Sequence, residues 1–302
     1  MKKAFLQLHL SIFLAGFTGI LGLLIKLNEG LLVWYRLLIT SITMWILFSL
    51  TKKLKQISLS DILKLAGIGF IAALHWIAFY GSIKYANVSV ALVCFSAVGF
   101  FTALLEPLLL RTRLKWIDVL LGLVVIAGIY LIFHFDPKYK IGIILGVTCS
   151  LLMAFVIINI RQFVQRINTE TVLTYQLSGG FIALTAVMPI YLHYLPTEKH
   201  LPNLEDFGWL IVLAWFCSVW AFNLSAVALK KLSAFTVNLS FNLEPVYGIL
   251  LAFIFFGENK NLSKWFYIGF LLIAASLAVH VVLIVKEERR KKTNNKIQET
   301  KA

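Results

Sequence analysis

Residues 82–112 read SIKYANVSVALVCFSAVGFFTALLEPLLLRT. Between Lys84 and Arg111 the only charged side chain is Glu106. A run this long and this apolar suits a helix that crosses a bilayer, which needs about 20 such residues. Residues 228–258, ALKKLSAFTVNLSFNLEPVYGILLAFIFFGE, repeat the arrangement. Ser82-Ile83-Lys84 falls on Ala228-Leu229-Lys230, a short polar seam follows, and an apolar run ends at Arg111-Thr112 or Gly257-Glu258. One residue further out of step, Gly122–Gly128 falls on Gly269–Ala275. Upstream, Trp34-Tyr35-Arg36 falls on Thr174-Tyr175-Gln176. Apolar segments resemble each other by chance, but their order and spacing do so less readily.

The rest of the chain is made the same way. It is 60% hydrophobic and 14% charged, with a mean hydropathy of +0.87. Soluble domains carry about 25% charged residues, so lipid is the solvent this composition suits. Ten spans are expected: Ala4–Ile25, Leu31–Leu50, Ile62–Ile83, Val88–Leu110, Trp116–His134, Ile141–Ile160, Thr171–Tyr194, Phe207–Leu229, Ala234–Phe256 and Lys264–Val285. Lys84–Asn87 and Lys230–Ser233 read as tight helical hairpins. The longest internal loop, Leu195–Asp206, is too short for an extramembrane catalytic domain. Lys2 and Lys3 precede an apolar run too long for a signal-peptide core, so it is read as an uncleaved first helix. Residues 1–134 and 141–285 then form two five-helix repeats, and 286–302 a basic tail. Five is odd, so the halves are inverted relative to each other, an arrangement that supports alternating access.

The net charge of +14 would suggest nucleic acid in a soluble protein. Here its placement matters more, because Lys and Arg gather in cytoplasmic loops. With the N-terminus inside, 20 of the 28 basic residues fall on the cytoplasmic side, seven fall outside, and Arg36 lies within a span. Both termini are expected in the cytoplasm of a bacterial inner-membrane protein. The tail Glu287–Ala302 is expected to be disordered or to lie on anionic lipid. Cys94, Cys149 and Cys217 sit singly in apolar runs, with neither metal-ligand spacing nor a disulfide framework. No cofactor or metal is implied. The expected partners are a small-molecule substrate and lipid, with a coupling proton where a carboxylate carries one. The chain stands as a monomer or a homodimer.

On the hairpin before the ninth span, Asn242-Leu243-Glu244-Pro245-Val246 within it, Gly257-Glu258 after it and the two glycine-bounded stretches, the chain resembles the drug/metabolite transporter superfamily. It is most similar to the ten-helix EamA-type exporters, over nearly its whole length. The first half departs from the pattern, with Val98-Gly99 opposite Glu244-Pro245 and Arg111-Thr112 opposite Gly257-Glu258. The resemblance implies a central cavity lined by spans 1, 3, 4, 6, 8 and 9, and export of amino acids or other small metabolites.

Ionisable groups within spans are costly and mark function by default. Glu244 lies about ten residues, or roughly 15 Å, into the ninth span, near the midplane. Ser240 and Tyr247 share its face, and Asn238 and Asn242 lie opposite. It either binds a substrate ammonium or carries a proton, or it is a structural hydrogen bonder beside the Pro245 kink. Glu106 lies ~27 Å into the fourth span, at the cytoplasmic surface near Arg111 and Arg113, and reads as an interfacial ion pair. Arg36 is about 7.5 Å from the outer end of its span. It either snorkels beside Trp34 and Tyr35, or clamps a substrate carboxylate or pairs with Glu244. His75 is a proton relay or, more in keeping with a lone histidine, a satisfied packing residue. Trp76, Phe79 and Tyr80, with Trp220 and Phe222 in the corresponding span, are candidates for a cavity wall, and Asn223 is the amide expected to face it. Gly16, Gly19 and Gly22 read as close packing or a hinge, not chemistry.

The favoured reading is a secondary exporter of small metabolites. A multidrug exporter of lipophilic cations normally wants a carboxylate in the first span, and Ala4–Ile25 has none. A nucleotide-sugar carrier needs several cavity cations, and only Arg36 is present. No nucleotide-binding loop and no paired catalytic groups point to direct use of ATP or to an intramembrane enzyme. A purely structural membrane protein would need neither the inverted repeat nor a midplane carboxylate.

Overall fold

The computed structural model describes residues 2–229, 231–232, 237, 240–241 and 243–299. All its regular structure is helical, with no strand among the described residues. Water is absent from a hydrocarbon core, so a spanning backbone pairs with itself, and helices do this within one segment. The helices are α1 (Lys2–Leu24), α2 (Glu29–Leu50), α3 (Leu59–Tyr85), α4 (Val88–Phe95), α5 (Val98–Leu110), α6 (Trp116–Phe135), α7 (Lys140–Val164), α8 (Thr169–Tyr194), α9 (Leu204–Ile211), α10 (Ala221–Leu229), α11 (Glu244–Phe256) and α12 (Lys264–Glu299). A π-helical segment, Val212–Trp220, joins α9 to α10. Nine stretches among the described residues are long and apolar enough to cross a membrane, and α11 supplies the second half of a tenth. Lys230, Ser233, Asn238, Asn242 and the start of the ninth span lie outside the described residues.

Asn28, Ser58, Asn87 and Asn203 cap α2, α3, α4 and α9, each side chain accepting a backbone N–H three residues on. Such caps satisfy donors that a helix start leaves free. They allow the short Ala86-Asn87 turn at the expected hairpin seam. The tail differs from expectation: α12 continues helically to Glu299 rather than ending near Val285. Its Lys, Arg and Glu residues are good helix formers and extend a helix already nucleated in the bilayer.

The repeat is visible in backbone detail. Sliding 82–112 onto 228–258 puts Ala97 on Leu243 and Arg111 on Gly257. The fourth span breaks at Ser96-Ala97 before α5, and the ninth breaks at Leu243 before α11. Each half-span then ends left-handed, at Arg111 (φ 54, ψ 35) and Gly257 (φ 61, ψ 28). Asp61 and Asp206 occupy matching first-turn positions of α3 and α9. The fourth and ninth spans are therefore not the single continuous helices that hydropathy suggests.

Around the cavity-lining residues, helices pack in two groups that mix the halves: α3 with α7 and α8, and α4 and α5 with α7; α1 with α10 and α11; α6 and α12 form a further pair across the halves. Backbones meet at glycine pairs, Gly16 with Gly248, Gly69 with Gly180 and Gly128 with Gly269. Small residues are what permit this contact where lipid offers no hydrophobic drive. We call the end carrying the start of α1 the N-face and the other the far face.

Candidate functional site

Between the two groups lies a cavity of about 140 Å³ lined by Ala15, Thr18, Arg36, His75, Trp76, Phe79, Phe95, Met153, Cys217 and Glu244. Seven of the ten spans contribute to it, the second through Arg36. Beyond Trp76 a smaller space of about 40 Å³ shares Arg36, Trp76 and Cys217 and adds Thr40, Ser218 and Phe222.

Arg36 does not snorkel; it is 6% exposed and turned inward. Tyr80 and Ser218 hold it there. Its Nη1 donates to the Tyr80 hydroxyl at 2.9 Å, and its Nε and Nη2 donate to Ser218 Oγ at 3.3 and 3.2 Å. The guanidinium carbon lies 4.3 Å from the centroid of the Trp76 ring. Neutral hydroxyls and a π face orient the fork, and the ring attraction is worth about 0.5–2 kcal/mol. None of these cancels the charge. A buried cation without a counter-ion costs several kcal/mol, and Arg36 has no ion pair among the described residues. The guanidinium therefore faces the cavity with no carboxylate in direct contact among the described residues.

Glu244 is the first residue of α11, at the break, with Pro245 behind it. Pro lacks an N–H and is tolerated at a helix start, so the Glu-Pro pair begins a half-helix rather than kinking a continuous one. Glu244 shares the cavity with Arg36, yet no ion pair joins them and no hydrogen bond reaches its carboxylate among the described residues. The site thus holds a cation and a carboxylate apart across one small space. His75 is 4% exposed, and its Nδ1 is 2.9 Å from the Cys149 carbonyl oxygen. It is a satisfied packing residue that also forms part of the wall. Trp76 and Phe79 line the cavity, and Tyr80 stands behind it as the support of Arg36.

Other expected members fall elsewhere. The Tyr247 hydroxyl is 2.9 Å from His9 Nδ1, and its ring meets Phe13, away from the cavity. Ser240 is half-buried one turn before Glu244, and its carbonyl accepts the Leu243 N–H. Asn223 is exposed on α10, and Trp220 is 42% exposed against Phe216; neither lines the two spaces. Trp220 ends the π segment and Asn223 follows it in α10, so neither repeat position nor polarity is enough to bring these side chains to the cavity. Glu106 forms its ion pair with Arg161, at 3.2 Å, rather than with Arg111 or Arg113. Sequence reasoning misses Ser218, Cys217, Thr18, Phe95 and Met153. They carry no charge to mark them, and only the fold brings them together.

The sequence matches a family described as EamA-like transporters over residues 2–134 and 140–280. Two proteins named as uncharacterized transporters, from Helicobacter pylori strains J99 and 26695, are each 26% identical over 190 residues. That alignment takes in 60% of this chain and 62% of theirs. A solved structure, named only as the crystal structure of a protein, aligns at a TM-score of 0.60 and 19% identity, over 95% of this chain and 99% of its own. At that identity the likeness concerns the fold alone.

Proposed function

Because the chain belongs to the EamA-like transporter family and is a multi-pass membrane protein, we propose that its cargo is a small zwitterionic metabolite, an amino acid above all. Alternating access carries it outward across the bacterial inner membrane. One observation bears most of the weight: Arg36 and Glu244 face the same cavity without pairing. An α-carboxylate supplies the anion Arg36 lacks, in the bidentate geometry that a guanidinium favours. An ammonium group sits toward Glu244, and an apolar side chain meets Trp76, Phe79 and Phe95. The cavity, at about 140 Å³, is smaller than the roughly 300–1,000 Å³ of sites for drug-sized ligands. Its size and the lack of any acidic residue in α1 both count against a bulky lipophilic cation.

The excess of basic residues on the N-face supports placing that face in the cytoplasm. A proton is the simplest coupling ion, carried by Glu244 when the ammonium leaves.

The test is uptake or counterflow of a panel of labelled amino acids by reconstituted protein, with Arg36→Lys beside wild type. Lysine keeps the charge and loses the fork. Substrate movement should fall at least about tenfold, the scale of a lost charge-assisted bond, while the protein inserts normally. Wild-type rates for Arg36→Lys would remove the carboxylate clamp. A panel in which no zwitterion moves, but a lipophilic cation does, would replace this reading with the multidrug one.

A further inference from the structure

Glu258 plays no part in the cavity, yet it is 7% exposed and fully engaged. It follows the left-handed Gly257 that ends α11, in the second half of the chain. Its carboxylate reaches the start of α4, in the first half. Oε1 accepts the Val88 N–H at 3.0 Å, and Oε2 accepts the Ser89 N–H at 2.8 Å and the Ser89 hydroxyl at 2.5 Å. A carboxylate on free N–H groups at a helix start is favoured by both hydrogen bonding and the helix dipole. The contact spans the two packed groups at the far face. Beneath it the groups close tightly. A Cβ on Gly19 would stand 2.9 Å from Val88, one on Gly22 would stand 2.7 Å from Tyr80, and one on Gly248 would overlap Leu92. Lys84 also donates to the Leu27 carbonyl there.

The repeat supplies a control within the molecule. The residue matching Glu258 in the first half is Thr112, at the N-face. Thr112 follows the left-handed Arg111, is exposed, and lines an open space of about 460 Å³ with Arg113, Lys115 and Arg161. The same loop is thus latched at one face and exposed at the other.

We propose that Glu258 is the latch of the far-face gate. Its three hydrogen bonds to α4 hold the state that is closed at the far face and open at the N-face, and their release accompanies opening to the other side. This goes beyond the choice of cargo and rests only on the protein being a transporter with two access states. Opening at the far face exchanges the Val88 and Ser89 bonds for water, and the inverted halves close the N-face in turn.

The experiment is cysteine accessibility in intact cells and inside-out vesicles, using the full chain with Cys94, Cys149 and Cys217 replaced by Ala. Leu92→Cys reports the far-face seal with a membrane-impermeant thiol reagent, and Thr112→Cys reports the N-face. Adding Glu258→Gln should speed labelling at position 92 about tenfold and slow it at position 112, since one charge-assisted bond shifts an equilibrium on that scale. Unchanged rates at both positions would overturn the latch. Faster labelling at both would also overturn it, because that is the signature of loosened packing. If Glu258→Gln does not insert, Ser89→Ala removes one of the three bonds, and the same opposed pair of changes is required of it at smaller size. The readout needs no substrate, so it stands apart from the amino-acid reading.

Discussion

Arg36 and Glu244 differ in how far their roles are legible before folding. Both are marked by charge within an apolar run, which is the signal sequence offers. For Glu244 the depth points to the interior, and the residue does line the cavity. For Arg36 depth does not decide: about two turns from a span end, an arginine reaches either the interface or the interior. The choice is made by Tyr80 and Ser218, one of them 182 residues away along the chain. Ser218 belongs to this outcome, so Ser218→Ala should release two of the guanidinium donors. A several-fold rise in KM is expected with kcat nearly unchanged, because the charge remains and its aim is lost. A fall in kcat alone, in the same transport assay, would place Ser218 in the conformational cycle instead of the clamp.

Helix interruptions carry the differences between hydropathy and structure. Hydropathy measures burial in lipid and is blind to backbone hydrogen bonding, so the breaks at Ala97 and Leu243 and the π segment leave no mark on it. Close packing is easier to read, since glycine in a span has few other uses. The prediction belonging here concerns α3, where two neighbouring glycines differ sharply. A Cβ at Gly69 would overlap the Gln176 carbonyl oxygen, whereas at Gly67 nothing stands within 4 Å. Gly69→Ala should lower stability by about 1–3 kcal/mol through overpacking, less the gain in helix propensity. Gly67→Ala should be neutral or stabilise by up to about 1 kcal/mol. Thermal unfolding in one detergent compares them, and equal midpoints would mean that α3 and α8 are not packed as described.

For the whole molecule, the inverted repeat is legible from order and spacing, and the paired left-handed ends at Arg111 and Gly257 give it a backbone counterpart. The meeting of Glu258 with Val88 is not legible, because residues 170 apart in sequence are joined only by the fold. Orientation rests on basic residues. Reporter fusions after Lys140 should report the outer side, and fusions after Lys292 the cytoplasm. Both on one side would contradict the five-plus-five arrangement.

The proposed function requires that Arg36 and Glu244, which form no ion pair with each other, make up a working site. Glu244→Gln keeps the size and hydrogen-bonding capacity of the side chain and removes its charge and its proton. A role as scaffold beside Pro245 would survive the change. The decisive measurement is amino-acid transport by reconstituted Glu244→Gln, with and without an imposed pH gradient. The variant should insert and fold, and lose either substrate movement or its response to the gradient. Wild-type rates with unchanged pH dependence would show that Glu244 is structural and that the substrate site lies elsewhere.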